Sequence, residues 1–261
     1  MELIILGSGT MVSTKTRKSS GYLIKTGNKF LLLDCGEGVF SRLLDLNIDY
    51  FKINNIVISH THTDHIGDLM PLIHAQFVEG IYFSNRKRKK ILNVMGPKGF
   101  KKSFKLLRQV MWPEPNENVP MKIYEAPRLF SDGNFKIKTM PVRHTQWFGA
   151  IATAVYDGKK KFVYSGDVYK SILNSKKFIA FAIQADLLLL DAAKPVGQFE
   201  GQHLNPYEAG LLANKCKVKH LILTHLKEGF NKPSEIINDC RRAYNGKLTL
   251  AKDLLKFKLY G

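Results

Sequence analysis

Residues 58–68 read ISHTHTDHIGD, and this stretch decides the fold more than any other part of the chain. Three imidazoles and a carboxylate, from His60, His62, Asp64 and His65, follow directly after an apolar run. On a strand these side chains would alternate between faces, whereas on a loop they can converge on a metal ion. Imidazole and carboxylate without thiolate suit a catalytic zinc, manganese or iron site. The stretch therefore predicts a metal-dependent active site at a strand end.

The chain around this motif alternates short strands with helices. Apolar runs predict strands at Glu2–Leu6, Tyr22–Lys25, Lys29–Asp34, Asn55–Ser59, Ile91–Met95, Met121–Glu125, Phe135–Met140, Ile151–Tyr156, Lys161–Ser165, Leu187–Leu190 and Leu221–Thr224. Helical spacing and N-terminal signals predict helices after Gly38 and at Ile66–Phe77, Pro206–Asn214 and Pro233–Ala243. No repeat or long linker divides the sequence. We expect one α+β domain over residues 1–261, with sheets covered by helices.

Composition sets limits on location. The chain has 261 residues, of which 44% are hydrophobic, but no run approaches the roughly 20 apolar residues needed to cross a bilayer. The first residues read as a strand and not as a signal peptide. Cys35, Cys216 and Cys240 are odd in number and form no CxxC pair, so a disulfide framework is not indicated. These features predict a cytoplasmic protein without a membrane partner.

The charge balance indicates a class of partner. Forty Lys and Arg against 22 Asp and Glu give a formal net charge of +18. Such an excess is typical of proteins that bind a polyanion such as RNA, although a generally lysine-rich composition would produce it too. The basic residues are densest at Arg86–Lys90 and Lys98–Lys105. Lys98, Lys101 and Lys102 are therefore candidate phosphate contacts.

The HTHTDH motif resembles the HxHxDH signature of the metallo-β-lactamase superfamily. The further residues that this resemblance requires occur in the expected order, each after a predicted strand: His144, Asp167 and His225. The resemblance covers nearly the whole chain. It implies a four-layer αββα fold in a single domain.

The resemblance also implies two divalent metal ions per chain, with zinc first and manganese or iron as alternatives. His60, His62 and His144 would hold one ion, Asp64, His65 and His225 would hold the second, and Asp167 would bridge them. Asp64 would take part in catalysis as well. Asp34 resembles the family's acidic residue behind the ligands and would orient His65.

Three further segments are similar to the ribonuclease Z-like phosphodiesterases. They are LGSGT at 6–10 followed by STKTR at 13–17, DCGEG at 34–38, and GQHLNP at 201–206. Ser13 stands where that family has proline, and a Gln is inserted before His203. The third segment makes His203 a candidate for a catalytic group that is not a ligand. The first makes Lys15 and Arg17 candidate phosphate contacts.

The resemblance implies a ribonuclease Z-like endoribonuclease that processes the 3′ side of precursor tRNA through a hydroxide held between the metals. Two departures bear on this substrate. Residues 145–166 have room only for two strands and a turn, not for the projecting arm that grips RNA, and THLKEG at 224–229 lacks the usual HFSxRY. The alternative is a small-molecule hydrolase of the same fold, either a cyclic-nucleotide phosphodiesterase or an arylsulfatase-like enzyme. A nucleic-acid-binding protein without activity is a third reading. The branch also suggests a homodimer.

Overall fold

The computed structural model describes residues 1–84, 86, 88–133, 135–158, 160–198 and 201–259. Within them, runs of consecutive strands are followed by strands that alternate with helices. The strands are β1 Glu2–Gly7, β2 Gly21–Thr26, β3 Lys29–Leu33, β4 Ile53–Val57, β5 Leu92–Gly96, β6 Met121–Glu125, β7 Leu129–Asp132, β8 Phe135–Val142, β9 Ala150–Asp157, β10 Lys160–Tyr164, β11 Leu187–Asp191, β12 His220–Thr224, β13 Lys247–Leu250 and β14 Lys256–Lys258.

The helices occur mainly in the connections between parallel strands. They are α1 Val39–Asp45, α2 Thr63–Ile66, α3 Leu69–Val78, α4 Phe100–Met111, α5 Lys176–Ala182, α6 Pro206–Lys215 and α7 Pro233–Arg241. Two 3-10 turns, Tyr50–Lys52 and Lys170–Asn174, and a π turn, Glu79–Phe83, complete the set in the described part of the chain. None of these helices is long and apolar enough to cross a membrane.

The strands form two seven-stranded mixed sheets. The first has the order β14-β1-β2-β3-β4-β5-β6, and the second has the order β13-β12-β11-β10-β9-β8-β7. A buried cluster that includes Leu31, Phe162 and Leu189 fills the space between the sheets. Two more clusters join the outer face of each sheet to its helices, with Phe104 of α4 in one and Leu212 of α6 in the other. The predicted four-layer αββα fold is therefore confirmed.

The motif region differs in detail from the sequence prediction. Strand β4 ends at Val57, two residues before the predicted end. The predicted helix Ile66–Phe77 is α3, which begins only at Leu69, because α2 ends at Ile66 and the chain turns at Asp68. There the backbone N–H of Asp68 donates to the Cys35 carbonyl, and its carboxylate accepts from the Phe40 backbone N–H. The turn ties the metal motif to the DCGEG segment.

Parallel pairing brings distant residues to one edge of the molecule. Strand β3 pairs in parallel with β4, and β10 pairs in parallel with β11, which pairs with β12. Carboxyl ends of parallel strands lie at the same sheet edge, so residues that follow these strands become neighbours. Asp34 and His60 follow strands of the first sheet, while Asp167 and His225 follow strands of the second.

Candidate metal centre

All seven predicted ligand side chains meet at this edge, and Asp167 lies at the centre of the group. Its Oδ2 atom lies 3.7 Å from His60 Nε2 and 3.8 Å from His144 Nε2. The same oxygen lies 3.3 Å from His65 Nε2 and 3.5 Å from His225 Nε2. Asp167 is buried, as are these four histidines. One carboxylate oxygen thus faces imidazoles from both halves of the chain.

On one side of Asp167 stands a group of three imidazoles. His62 Nδ1 lies 3.0 Å from His60 Nε2 and 3.3 Å from His144 Nε2. The donor atoms of these histidines and Asp167 all lie within 4.8 Å of one another. His62 is half-buried, so this side faces the solvent opening.

On the other side, Asp64 joins two imidazoles. His225 Nε2 lies 3.0 Å from Asp64 Oδ2 and 3.4 Å from His65 Nε2. His65 Nε2 in turn lies 3.6 Å from Asp64 Oδ2. These three donors also lie within 4.8 Å of one another. Asp64 occupies the first turn of α2, where its position is fixed by the backbone of the motif itself.

The donor set fits divalent cations. Imidazole nitrogens face each other at hydrogen-bond distance, and such pairs are stabilised when a cation accepts both lone pairs. Asp64 Oδ1 is buried without a hydrogen-bond partner, which leaves this carboxylate oxygen free to contact a bound cation or water. Burial lowers the pKa of His144 to about 4 and the pKa of His60 well below its usual value. Both rings are therefore neutral, as metal ligands must be.

The carboxylates of the cluster are ionised. Burial alone would raise the pKa of Asp167, but His225 and His65 hold that pKa well below its usual range. Burial likewise opposes ionisation of Asp64, and the hydrogen bond from His225 outweighs it and lowers the pKa of Asp64. Burial opposes the charged ring of His65, but Asp167 and Asp34 outweigh it and raise the pKa of His65 well above its usual value. His60 and His144 are therefore ready to bind a cation, whereas His65 would release a proton when it does so.

Asp34 supports the cluster from behind. Its Oδ2 accepts hydrogen bonds from His65 Nδ1 at 2.7 Å, from the Ser59 hydroxyl at 2.8 Å and from the Tyr164 hydroxyl at 2.6 Å. The Ser59 backbone N–H donates to Oδ1 at 2.6 Å. With Nδ1 engaged in this way, His65 turns Nε2 toward Asp64 and Asp167. Asp34 thus contacts His65 on the side away from Asp167, and its role in orienting a metal ligand stays a prediction.

Gly36 allows the DCGEG turn to approach the motif closely. A Cβ atom on Gly36 would lie 2.1 Å from the Asp64 carbonyl oxygen and 2.7 Å from Ser19 Cβ. The Cys35 backbone N–H donates to the His65 carbonyl at 2.8 Å beside this contact. The DCGEG turn therefore contacts the backbone of Asp64 and His65 directly.

His203 lies beside the cluster, and Asp191 holds it there. His203 Nδ1 donates to Asp191 Oδ2 at 2.9 Å, and the His203 ring stacks on the His225 ring with centroids 5.2 Å apart. Burial works against the charged ring, but Asp191 outweighs it and raises the pKa of His203 to about 9. His203 Nδ1 is 3.8 Å from Asp167 Oδ2.

Sequence analysis missed Asp191. The residue ends strand β11, next to strands whose ends supply Asp167 and His225. Its Oδ1 accepts from the Ala193 backbone N–H at 3.0 Å, which fixes the carboxylate toward His203. The sequence feature that could have indicated Asp191 is a carboxylate directly after the apolar run LLLL at 187–190.

Phe148 and Tyr164 are the other contributors that sequence analysis missed. The Phe148 ring lies nearly parallel to the His60 ring at 5.8 Å and meets the His62 ring edge-on at 4.7 Å. Tyr164 ends β10 and donates to Asp34. Both are ordinary aromatic residues in the sequence, so only the folded chain reveals their place.

The predicted basic contacts lie at different places around the site. Lys15 is exposed on a turn whose neighbour Thr16 bonds to Glu228, three residues after His225. Arg17 is half-buried, and its Nη1 donates to the Ser8 hydroxyl at 2.6 Å and the Ala251 carbonyl at 2.7 Å. That guanidinium is thus largely engaged in internal bonds. A phosphate contact by Lys15 or Arg17 stays a prediction.

The second basic set lies at the start of helix α4. Lys98, Lys101 and Lys102 are all exposed. The Lys98 backbone packs against Gly149, because a Cβ atom on that glycine would lie 3.2 Å from the Lys98 carbonyl oxygen. The set therefore begins next to the loop that follows His144. Its role in RNA binding stays a prediction.

The fold and the convergence of histidine and aspartate define a protein of the metallo-β-lactamase superfamily, in its ribonuclease Z-like branch. Within that class, the chain belongs to the family described as Anti-Pycsar protein Apyc1, whose model matches residues 1–235.

Individual relatives agree with the assignment to the superfamily and to its ribonuclease Z-like branch. The chain is 28% identical over 255 residues to the probable metallo-hydrolase YhfI of Bacillus subtilis, covering 97% of each chain. The crystal structure of YhfI superimposes with a TM-score of 0.82 at 25% identity over 98% of both chains. Ribonuclease Z of Methanocaldococcus jannaschii is 27% identical over 291 residues, covering 89% of this chain and 87% of that one. The short form of human tRNase Z has the same fold, with a TM-score of 0.77 at 22% identity over 99% of both chains. The protein is thus a metal-dependent hydrolase of the ribonuclease Z-like group.

Proposed function

We propose that this protein is a phosphodiesterase with two metal ions that hydrolyses nucleotide phosphodiesters. The observation that carries the proposal is the position of Asp167 Oδ2, 3.3–3.8 Å from imidazole nitrogens on both sides. A carboxylate so placed would bridge two cations, as in two-metal phosphoesterases. The remaining ligands in this proposal are His60, His62 and His144 for one ion, and Asp64, His65 and His225 for the other. Zinc is the first candidate, because the donors are mostly imidazole, with manganese or iron as alternatives.

The chain's own groups would complete the reaction. Bound divalent ions neutralise charge on phosphate oxygens and lower the pKa of water near them. Asp191 fixes Nδ1 of His203 and so leaves Nε2 to carry a proton toward the departing oxygen. Asp34 keeps Nε2 of His65 directed at the centre. Asp64 has a second oxygen without a partner, and in our proposal it helps to hold the attacking water.

Cyclic nucleotides are the substrate class that we place first. Strands β9 and β10 are joined by a short hairpin at Asp157 and Gly158, and no arm projects from the described residues between His144 and Asp167. A site without such an arm suits a small substrate that enters the centre alone.

RNA is the second candidate, favoured by a different observation. The net charge of +18 and the exposed Lys98, Lys101 and Lys102 next to the loop after His144 would attract a polyanion. Endonucleolytic processing of tRNA 3′ ends stays a prediction on this basis. Arylsulfatase-like activity has no observation in its favour beyond the shared fold.

A comparison of substrates tests the proposal. We expect the metal-loaded protein to hydrolyse bis(p-nitrophenyl) phosphate and 3′,5′- or 2′,3′-cyclic nucleotides, and to cleave precursor tRNA slowly. Metal-depleted protein should be inactive. Asp167→Ala should abolish hydrolysis and leave the far-ultraviolet circular dichroism unchanged. Retention of more than a few per cent of activity by this variant would contradict the bridging role.

The His203→Ala variant separates the proton donor from the ligands. We expect turnover to fall by about 10²- to 10⁴-fold, the usual contribution of general acid catalysis, while metal content stays at two per chain. Loss of metal in this variant would instead make His203 a ligand. Metal content is measured by atomic emission on gel-filtered protein.

The proposed setting is the cytoplasm. The three cysteines are free and buried, which agrees with a reducing compartment. Homodimer formation stays a prediction from the ribonuclease Z-like branch.

A further inference from the structure

An exposed tryptophan lies in the loop that joins His144 of the candidate metal centre to strand β9. Trp147 lies in the loop between His144 and β9, and 81% of its surface is exposed. The other tryptophan of the chain, Trp112, is only 1% exposed and donates through Nε1 to Glu117. Indole is a large amphipathic ring that is usually covered. The exposed indole of Trp147 is therefore available to contact a ligand.

The loop that carries Trp147 is fixed on both sides. The Trp147 backbone N–H donates to the Thr145 hydroxyl at 3.0 Å. The next residue, Phe148, packs on the His60 and His62 rings, so the loop is anchored to the metal centre itself. Gly149 then packs on Pro97, since a Cβ atom there would lie 3.1 Å from Pro97 Cβ. Trp147 thus lies in a loop whose neighbouring residues are held by these contacts.

A second exposed apolar segment lies next to the metal motif. Met11 and Val12 are 52% and 57% exposed. The Met11 sulfur lies 2.8 Å from the hydroxyl of Thr63, which follows His62. Phe148 thus contacts the His62 ring, and Met11 contacts the residue that follows His62. Exposed apolar side chains therefore belong to two segments that contact the metal motif.

We propose that Trp147 stacks on the nucleobase of the substrate while the phosphate lies at the metal centre. This inference rests on the proposed phosphodiesterase function and adds the part of the substrate that is recognised. Trp147 lies three positions after His144, so at most about 11 Å of backbone lies between them. A nucleoside spans a distance of this order between its phosphate and its base.

Stacking recognises that a base is present but does not distinguish one base from another. Every base has a π face, so an indole platform accepts purines and pyrimidines alike. Base–aromatic stacking contributes about 1–3 kcal/mol per base by alanine substitution, which corresponds to a factor of about 5 to 150 in affinity. Because the base is remote from the reacting phosphorus, the gain applies equally to ground state and transition state. The structure therefore assigns Trp147 to substrate binding and not to the chemical step.

Kinetics on matched substrates test the assignment. Trp147→Ala should raise KM for 3′,5′-cyclic AMP and 3′,5′-cyclic UMP by about 5- to 150-fold with kcat nearly unchanged, and Trp147→Phe should restore most of the loss. Ribose 3,5-cyclic phosphate, which has no base, should show no change in KM with either variant. Hydrolysis is followed by phosphorus NMR. An equal loss on the baseless ester, or no loss on any substrate, would overturn the proposal.

Fluorescence provides a readout that does not depend on turnover. The product AMP should quench the emission of metal-loaded protein, whereas ribose 5-phosphate should not, and Trp147→Phe should remove the quenching because Trp112 is buried. If no cyclic nucleotide is hydrolysed but AMP still quenches, the proposed activity fails and the stacking site stands. Equal emission with and without AMP overturns the stacking site. A variant that changes only the sedimentation coefficient would assign Trp147 to self-association instead and also overturn it.

Discussion

The Asp34 carboxylate accepts a hydrogen bond from Nδ1 of His65 at 2.7 Å, and this contact directs Nε2 of the same ring to within 3.3 Å of Asp167. Asp34 has a positive φ of 57°, a backbone conformation that costs free energy for a residue with a side chain. Its four hydrogen bonds offset that cost. Because Asp34 is fully buried and bonds to His65, we expect it to orient that ring and not to contact substrate.

Asp34→Asn should weaken metal binding by about 10- to 100-fold, because the amide cannot supply the negative charge that orients and polarises His65. Competition with a chromophoric chelator measures the affinity. Tyr164→Phe removes only one donor to Asp34 and serves as the matched control, with an expected loss of less than about 10-fold. Wild-type affinity in Asp34→Asn would show that His65 needs no support.

Gly36→Ala should damage the centre through the backbone. The added methyl group would meet the Asp64 carbonyl oxygen and Ser19, so we expect the free energy of unfolding to fall by about 1–3 kcal/mol and the metal affinity to fall with it. Gly158→Ala is the control, since Gly158 has φ 57° but nothing within 4 Å of an added Cβ. The control should lose about 1–2 kcal/mol from backbone strain and keep its metal. Equal metal affinity in the two variants would separate Gly36 from the site.

Neutralisation of the α4 set tests RNA binding. Replacement of Lys98, Lys101 and Lys102 by Ala should weaken binding of a single-stranded RNA to metal-depleted protein. The slope of log affinity against log salt should become shallower by about 2, since each phosphate contact on a single strand contributes about 0.7.

A second triple variant controls for net charge. Lys247, Lys256 and Lys258 line a different cavity, together with Lys219 and His220. Their replacement by Ala removes the same charge elsewhere and should leave the slope nearly unchanged. Equal slopes in both triple variants, or a change only in the control, would place RNA away from α4.

His220 should make folding stability depend on pH. Burial, aided by Lys247, lowers its pKa to about 4 in the folded protein. The ring is charged more readily in the unfolded chain, so its contribution to stability is complete above pH 6.5 and is lost as pH falls toward 4. His220→Gln keeps a partner for the Thr249 hydroxyl, which lies 2.9 Å from Nε2.

Urea unfolding at pH 7 and pH 4.5 checks this expectation. The wild-type protein should lose on the order of 1–2 kcal/mol more than His220→Gln between these values, after allowance for solvent screening. A parallel decline in both proteins would assign the pH dependence to other groups.

The metal cluster was predictable from the sequence because its pattern is local. The HTHTDH motif places four donors in six positions, and His144, Asp167 and His225 each follow an apolar run that the structure shows as a strand. Strand-end placement is a general property of parallel sheets, so convergence could be expected. The ligand roles themselves stay predictions until metal is measured.

Other parts of the fold and site left weaker signals. Strands β7 and β14 lie at the edges of their sheets, where few residues are buried and no continuous apolar run is needed. In the sequence Asp191 resembles any residue at the end of a strand. Its role depends on its contact with His203, which lies twelve positions later. Trp147 could be seen in the sequence, but its exposure depends on how Thr145 and Phe148 fix the loop.

The division of the centre between the two sheets has a consequence for synthesis of the protein. The first donors belong to residues 60–65 and the last to residue 225, and strand β14 near residue 257 pairs with β1 at residues 2–4. A chain that has not reached residue 225 lacks part of the pocket, and one that has not reached residue 256 leaves β1 without one neighbour. Hydrolytic capacity should therefore arise late in synthesis, and products that stop before residue 225 should carry none of it.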